Sequence, residues 1–214
     1  MPIDRGATMD PSPDRIIDWA EAPARIAALV RGVRENRPVV VVGITGPVGA
    51  GKSSLARALS PCVIRTDDYL PEYASTPMEQ RDLPESSDLA LLAGHLSDLR
   101  AGRDVHVPVW SFKTHRRQSE RLVHPAPVAV CEGLHALHAT VCGQIDVGVY
   151  VDAPPEVRRR RWEALERDGV RGWGIERARA YFEQVAEPTF AAMAESYRRD
   201  SDLIVRNDRD RPAI

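Results

Sequence analysis

Gly46, Gly51, Lys52 and Ser53 stand in the order Gly-x-x-x-x-Gly-Lys-Ser, with a further glycine at position 49. Glycines so placed let backbone N–H groups turn inward on a phosphate, because no Cβ blocks the approach. A lysine after the last glycine can reach the β- and γ-phosphates of a nucleotide, and the hydroxyl that follows can ligate Mg²⁺. This is the Walker A pattern. It makes Gly46, Pro47, Val48, Gly49, Ala50, Gly51, Lys52, Ser53 and Ser54 the expected cradle for the phosphates of ATP.

Acids that could complete such a site arrive at two places. Asp67 and Asp68 follow the run Pro61-Cys62-Val63-Ile64-Arg65, and Glu132 follows Pro127-Val128-Ala129-Val130-Cys131. Both runs read as buried strands, and in open α/β sheets ligands gather beyond the carboxyl ends of strands. Asp67 or Asp68 could take a proton from a substrate hydroxyl or hold Mg²⁺; either could instead cap a helix. Glu132 has Walker-B-like placement, an acid facing Mg²⁺ across from Ser53. His135 and His138 could share a face with Glu132, but no further ligand lies at zinc spacing.

These residues need a scaffold. The β-branched run Val39-Val40-Val41-Val42 with Ile44 predicts a strand buried on both faces, and Leu55-Ala56-Arg57-Ala58-Leu59 a helix after the glycine loop. Ser86-Ser87-Asp88 can cap a helix carrying Leu89, Leu91, Leu92, Leu96 and Leu99 and stopping before Gly102. Val105 to Phe112 alternates and holds Pro108, which suits an edge strand. Lys113-Thr114-His115-Arg116-Arg117 is either part of a substrate pocket or a solvated hairpin end. Further strands are expected over residues 146–152 and 202–207, with Asn207-Asp208 at the nucleotide's base.

Arg158, Arg159, Arg160 and Arg161 follow Pro154 and Pro155, which open a helix. At 3.6 residues per turn only one or two of them can face any one ligand, and a solvated helix face is the plain alternative. Gly169, Gly172 and Gly174 separate this segment from a last helix carrying Ala178, Tyr181, Phe182 and Val185 and ending before Pro188. At the other end, residues 1–13 read as a disordered tail. Residues 14–37 read as a helical leader, its first helix bearing Ile16, Ile17 and Trp19 with Ser12 or Asp14 as cap, and no chemistry falls to it.

The chain has 214 residues, 43% of them hydrophobic, and a net charge of −2. That suits one domain over residues 14–214 and gives no global basic field to attract nucleic acid. Three cysteines, Cys62, Cys131 and Cys142, lie at unrelated spacings, which favours a reducing, cytoplasmic setting over a disulfide framework. No stretch is long and apolar enough for a membrane span.

In sum these motifs resemble the uridine kinase and phosphoribulokinase family, and most of all its uridine–cytidine kinase branch. The resemblance rests on Gly-Pro-Val-Gly-Ala-Gly-Lys-Ser, Thr-Asp-Asp-Tyr, Arg-Asp-Leu-Pro-Glu-Ser-Ser-Asp, Val-Pro-Val-Trp-Ser-Phe-Lys-Thr-His-Arg-Arg and Val-Cys-Glu-Gly-Leu-His-Ala-Leu, in that order. It implies an α/β P-loop fold with a mostly parallel sheet of about five strands, helices on both faces and an arginine-bearing lid over residues 158–174. It implies Asp67 as catalytic base near Mg²⁺, Ser53 and Glu132 as the other metal contacts, and Asp82 on sugar hydroxyls. Tyr69, Trp110, Phe112 and His115 would line the acceptor pocket. Arg160, Arg161 and Arg167 are the lid candidates acting with Lys52 on the phosphates. The chain departs from the pattern at Leu83, where histidine is usual, at Trp110, where tyrosine is usual, and at Ala164, where an arginine is expected. The implied reaction is transfer from ATP to a small-molecule alcohol, foremost the 5′-hydroxyl of uridine or cytidine. A sugar such as fructose, a pantothenate-like alcohol, and a nucleotide switch or assembly ATPase are the alternatives. Donor preference and homo-oligomerisation stay open.

Overall fold

The structure, a computed structural model, describes residues 13–35, 37–170 and 172–209. Of the predicted tail only Pro13 falls within it, and Ser12 and Arg171 lie outside the described residues.

The Val39–Ile44 run forms the middle of the molecule. Strand β2, Val40–Thr45, is buried along its whole length. Side chains alternate across a strand, so Val40, Val42 and Ile44 join one core while Val39 and Val41 join the other. Two apolar faces require two covering layers. Helices α1, Ala22–Arg34, and α2, Lys52–Leu59, cover the first through Ile26, Val30, Leu55 and Ala56. Helix α3, Leu89–Arg100, covers the second through Leu92, Leu96 and Leu99. Asp88 caps α3 by accepting from the Leu91 N–H at 3.1 Å.

Among the described residues six strands make the main sheet, every neighbouring pair parallel. β1 is Ile16–Asp18, β3 Val63–Arg65, β6 Val128–Glu132, β7 Val147–Asp152 and β8 Leu203–Arg206. Their spatial order is β1, β8, β7, β2, β6, β3. Between them in sequence, β4 (Val105–Ser111) and β5 (Arg116–Val123) form a separate antiparallel hairpin, with Pro108 on an edge strand as expected.

Strand β1 corrects the expected leader. Ile16 and Ile17 are strand, not helix: they pair with Ile204 and Val205 of β8. Three residues are too few for periodicity to separate helix from strand, and the open edge of β8 supplies the missing backbone partners. The end of the last helix also differs. Helix α6, Ile175–Tyr181, runs through a π-helical turn, Phe182–Ala186, into α7, Glu187–Asp200. Pro188 sits in the first turn of α7, where the wide turn before it absorbs its missing N–H. A short helix α4, Ala139–Cys142, and helix α5, Pro155–Arg167, complete the set. The three cysteines are free, with Cys62 and Cys131 in the core and Cys142 exposed. Among the described residues no helix is long and apolar enough to cross a membrane.

His135 ties three segments together. It is 2% exposed; its Nε2 meets the Asp82 carbonyl at 3.0 Å and its Nδ1 meets the Tyr197 hydroxyl at 3.2 Å. A carbonyl can only accept, so Nε2 carries a proton. Burial pushes its pKa down from 6.5 to about 4. The unfolded chain therefore binds a proton at higher pH than the folded one, and stability held above pH ~6.5 is lost as pH falls towards ~4. Urea unfolding across this window should show an acid loss of up to about 3 kcal/mol from this group. His135→Asn, though weaker at pH 7, should show a shallower acid limb.

Candidate active site

The loop after β2 is wedged among three elements. Gly46, Gly49 and Gly51 have φ of +146°, +75° and +106°. A Cβ on Gly46 would lie 2.2 Å from the Val151 carbonyl oxygen of β7. One on Gly49 would lie 2.6 Å from the Arg158 carbonyl oxygen of α5, and one on Gly51 2.5 Å from Asn207 Nδ2, beyond β8. Side chains are thus excluded by backbone angle and by space together. The loop delivers the chain to α2, whose first turn, the positive end of its dipole, borders a cavity of about 610 Å³. Val48, Gly49, Gly51, Lys52, Ser53 and Ser54 line that cavity. Gly46, Pro47 and Ala50 support it: Lys52 Nζ donates to the Gly46 and Pro47 carbonyls at 2.8 and 2.9 Å, and the Ala50 carbonyl accepts from Asn207 at 2.7 Å.

Two acids stand beside this loop. Ser53 Oγ donates to Glu132 Oε1 at 2.9 Å, and Asp67 lines the same cavity. Burial pushes the Glu132 carboxyl above the usual carboxylate range, and the nearby Asp67 charge pushes it further. Lys52, Ser53 and Arg65 pull the other way. A hydroxyl and two crowded carboxylates are a hard, all-oxygen donor set that calls for positive charge. It fits Mg²⁺, which takes one or two carboxylates and leaves its other positions to water and phosphate. Among the described residues no cluster of three or more His, Cys, Asp or Glu could hold a metal. His138 caps α4 and His135 is engaged as above, so neither joins the acids.

The choice between Asp67 and Asp68 is decided by a 3₁₀ turn over Thr66–Tyr69. At three residues per turn Asp67 and Leu70 eclipse, and both line the cavity. Asp68 points into the protein, fully buried, and accepts from Arg65 Nε at 3.1 Å, with Arg121 3.8 Å away. The same turn sends Tyr69 inward. Its ring lies in the core against α3 and its hydroxyl meets His95 Nδ1 at 2.7 Å, so it does not line the pocket.

Two of the other predicted acceptor residues line the cavity, Asp82 and Phe112. Trp110 and His115 stand behind its wall. Trp110 is 4.8 Å from the Tyr73 ring and donates to the Pro71 carbonyl; His115 stacks on Tyr73 at 5.2 Å and accepts from the Trp173 indole. The wall itself is made by Leu70, Tyr73, Trp173 and Tyr181, which sequence reasoning missed. Trp173 had a signal: a large ring between Gly172 and Gly174 in an otherwise polar turn. Glu166 holds that turn, accepting from the Trp173 and Gly174 N–H groups at 2.9 and 3.1 Å.

The arginine run divides its work. Arg158 is buried, bonds the Ala153 carbonyl at 2.8 Å and pairs with Glu187; Arg159 pairs with Glu163 at 2.8 Å. Arg160 and Arg167 are exposed and do not line the cavity. Arg161 does, and donates to the Gly49 carbonyl at 3.0 Å and to both oxygens of Asn207. Of the candidates named from sequence, Arg161 alone reaches the phosphate loop.

Residues 73–212 match the model of the phosphoribulokinase / uridine kinase family. The chain belongs to that family. A protein described as uridine kinase from Halobacterium salinarum is 31% identical over 182 residues, covering 78% of this chain and 80% of that one. Another from Klebsiella pneumoniae is 30% identical over 195 residues, covering 82% and 91%. Among solved structures, a candidate fructose transport system kinase from Silicibacter superposes with a TM-score of 0.63 at 19% identity, over 84% of this chain and 98% of its own. At that identity the likeness shows the fold, an α/β P-loop kinase fold. As a member of the family the chain is an ATP-dependent small-molecule kinase.

The wedge makes a direct prediction. Gly46→Ala should weaken ADP binding by at least about tenfold and lower the melting temperature, because strain and a backbone collision act together. Gly32→Ala, in α1 with nothing within 4 Å of an added Cβ, should leave ADP binding unchanged and hold or raise the melting temperature, since alanine favours a helix interior over glycine. Calorimetric titration and thermal melts of the two variants check this.

Proposed function

We propose that this kinase transfers the γ-phosphoryl of ATP to the 5′-hydroxyl of uridine or cytidine. One observation carries the reading of the acceptor. The end of the cavity near Asp67 is walled by Tyr73, Phe112, Trp173 and Tyr181 and holds a second buried carboxylate besides Glu132, that of Asp82. Flat aromatic walls suit a planar base, and a carboxylate suits the paired hydroxyls of a ribose. The relatives described as uridine kinases support the same reading.

In this reading the amides before Lys52, the start of α2 and Lys52 itself hold the phosphates, and Arg161 adds charge from α5. Ser53, Glu132 and Asp67 would hold Mg²⁺, which when bound neutralises charge on the phosphates. Asp67 accepts the proton of the attacking hydroxyl. Trp173, pinned by Glu166 and bonded to His115, keeps water from the acceptor end. Residues 14–214 are taken as one kinase domain, with residues 158–174 as its lid. Catalysis is positioning and charge placement, since phosphoryl transfer leaves the protein little covalent chemistry to do.

Asp67→Asn should lower turnover by about 10²- to 10⁴-fold, with ADP affinity changed by less than about threefold. Retained turnover would remove Asp67 as base. A coupled ADP-release assay over uridine, cytidine, fructose and pantothenate tests the acceptor. Release should stay near background until a pyrimidine nucleoside is added. Turnover on fructose or pantothenate alone would transfer the reading to that alcohol, and ADP release without any acceptor would point to an assembly ATPase.

A further inference from the structure

The strand order gives the cavity two ends. β6 and β3 lie on one side of β2, and β7, β8 and β1 on the other. Glu132 and Asp67 arrive from the tips of β6 and β3, so the terminal phosphate and the acceptor belong on that side. A nucleotide whose phosphates follow the glycine loop then carries its base towards the tips of β8 and β1. Trp19, Asn207 and Arg161 line the cavity there.

Trp19 is placed by the fold. It directly follows β1, and its N–H bonds the Arg206 carbonyl of β8 at 3.0 Å. The six-membered edge of its indole comes up against the phosphate loop: a Cβ on Gly51 would lie 3.2 Å from Cη2 and 3.3 Å from Cζ3. The ring is half-buried, packed in part on the core beneath α1, while another part lines the cavity. Its neighbour Asn207 is already engaged on both side-chain atoms, Nδ2 with the Ala50 carbonyl at 2.7 Å and Oδ1 with Arg161 at 3.2 Å. Beside Asn207, Trp19 offers an aromatic face to this part of the cavity.

We propose that Trp19 is the platform on which the nucleobase of the phosphate donor stacks. The N-terminal strand thereby contributes to the donor site as well as to packing. A stacked ring is read by its π-face rather than by its hydrogen-bonding edge, so this contact adds affinity for the base of the donor while leaving the phosphates to the loop. The inference rests on the kinase reading of the phosphate loop and is independent of which alcohol accepts the phosphoryl group.

The test compares two probes that share phosphates and differ in the base. ADP and inorganic tripolyphosphate are titrated calorimetrically, with Mg²⁺ and no acceptor, into wild type, Trp19→Ala, Trp19→Leu and Trp19→Phe. Trp19→Ala should weaken ADP about tenfold and leave tripolyphosphate unchanged, and Trp19→Phe should stay within about threefold of wild type for both. Trp19→Leu keeps apolar bulk without a ring and should match Trp19→Ala, so it carries the comparison if the alanine variant fails to fold. Unchanged ADP affinity in both ringless variants overturns the proposal. So does an equal loss for ADP and tripolyphosphate, which would make Trp19 a prop for the loop. Failure of wild type to bind either probe would sink the kinase reading itself, and failure of uridine as acceptor touches neither result.

Discussion

The site depends on how tightly one loop is wedged. Gly46, Gly49 and Gly51 bring the backbone against β7, α5 and the residue after β8 at separations no side chain would permit. Those contacts fix the loop from three directions. They also fix what the three elements carry: Arg161 on α5 bonds the loop carbonyls, and Asn207 bonds Ala50. Because packed interiors do not deform smoothly, a loop held on three sides has one shape, and the N–H groups it presents are set before any ligand arrives.

Electrostatics then distinguishes the acids that work on a ligand from those that hold the protein together. Asp68 and Glu187 are matched by arginines and belong to the framework. Glu132 and Asp67 crowd each other, and burial raises Glu132 further. Two crowded carboxylates beside a lysine and a hydroxyl form a place where added positive charge is welcome. The same sorting applies to the arginines. Four consecutive residues on one helix point in four directions, so Arg158 is buried with Glu187, Arg159 lies on Glu163, Arg160 faces outward and Arg161 meets the loop.

At the acceptor end the rings support one another. Tyr73 contacts Trp110, His115 and Trp173, and Trp173 contacts Tyr181. Trp110 and His115 therefore shape the pocket without lining it. A turn rich in glycine would be loose by itself; Glu166 and His115 hold Trp173 from two sides.

Much of this was legible in the residues alone. Gly46 to Ser53, the β-branched run before it, the strand-end acids and the cap at Asp88 are local patterns, and local patterns follow from backbone sterics and side-chain chemistry within a few residues. Three things were not local. Ile16 to Asp18 became a strand because β8 offered an unpaired edge. Tyr69 and Asp68 turned inward while Asp67 turned out because a 3₁₀ turn, not an α-helical or extended one, follows β3. Trp19, distant from the phosphate loop in sequence, reached the cavity because parallel strands bring their carboxyl ends to one side, and Trp173 because Glu166 and His115 hold the turn between α5 and α6 against it. Residue types and their spacing name the groups able to bind phosphate and metal. Which acid, which arginine and which rings share the cavity is a matter of packing, because it depends on the direction each side chain leaves its element and on what lies against it.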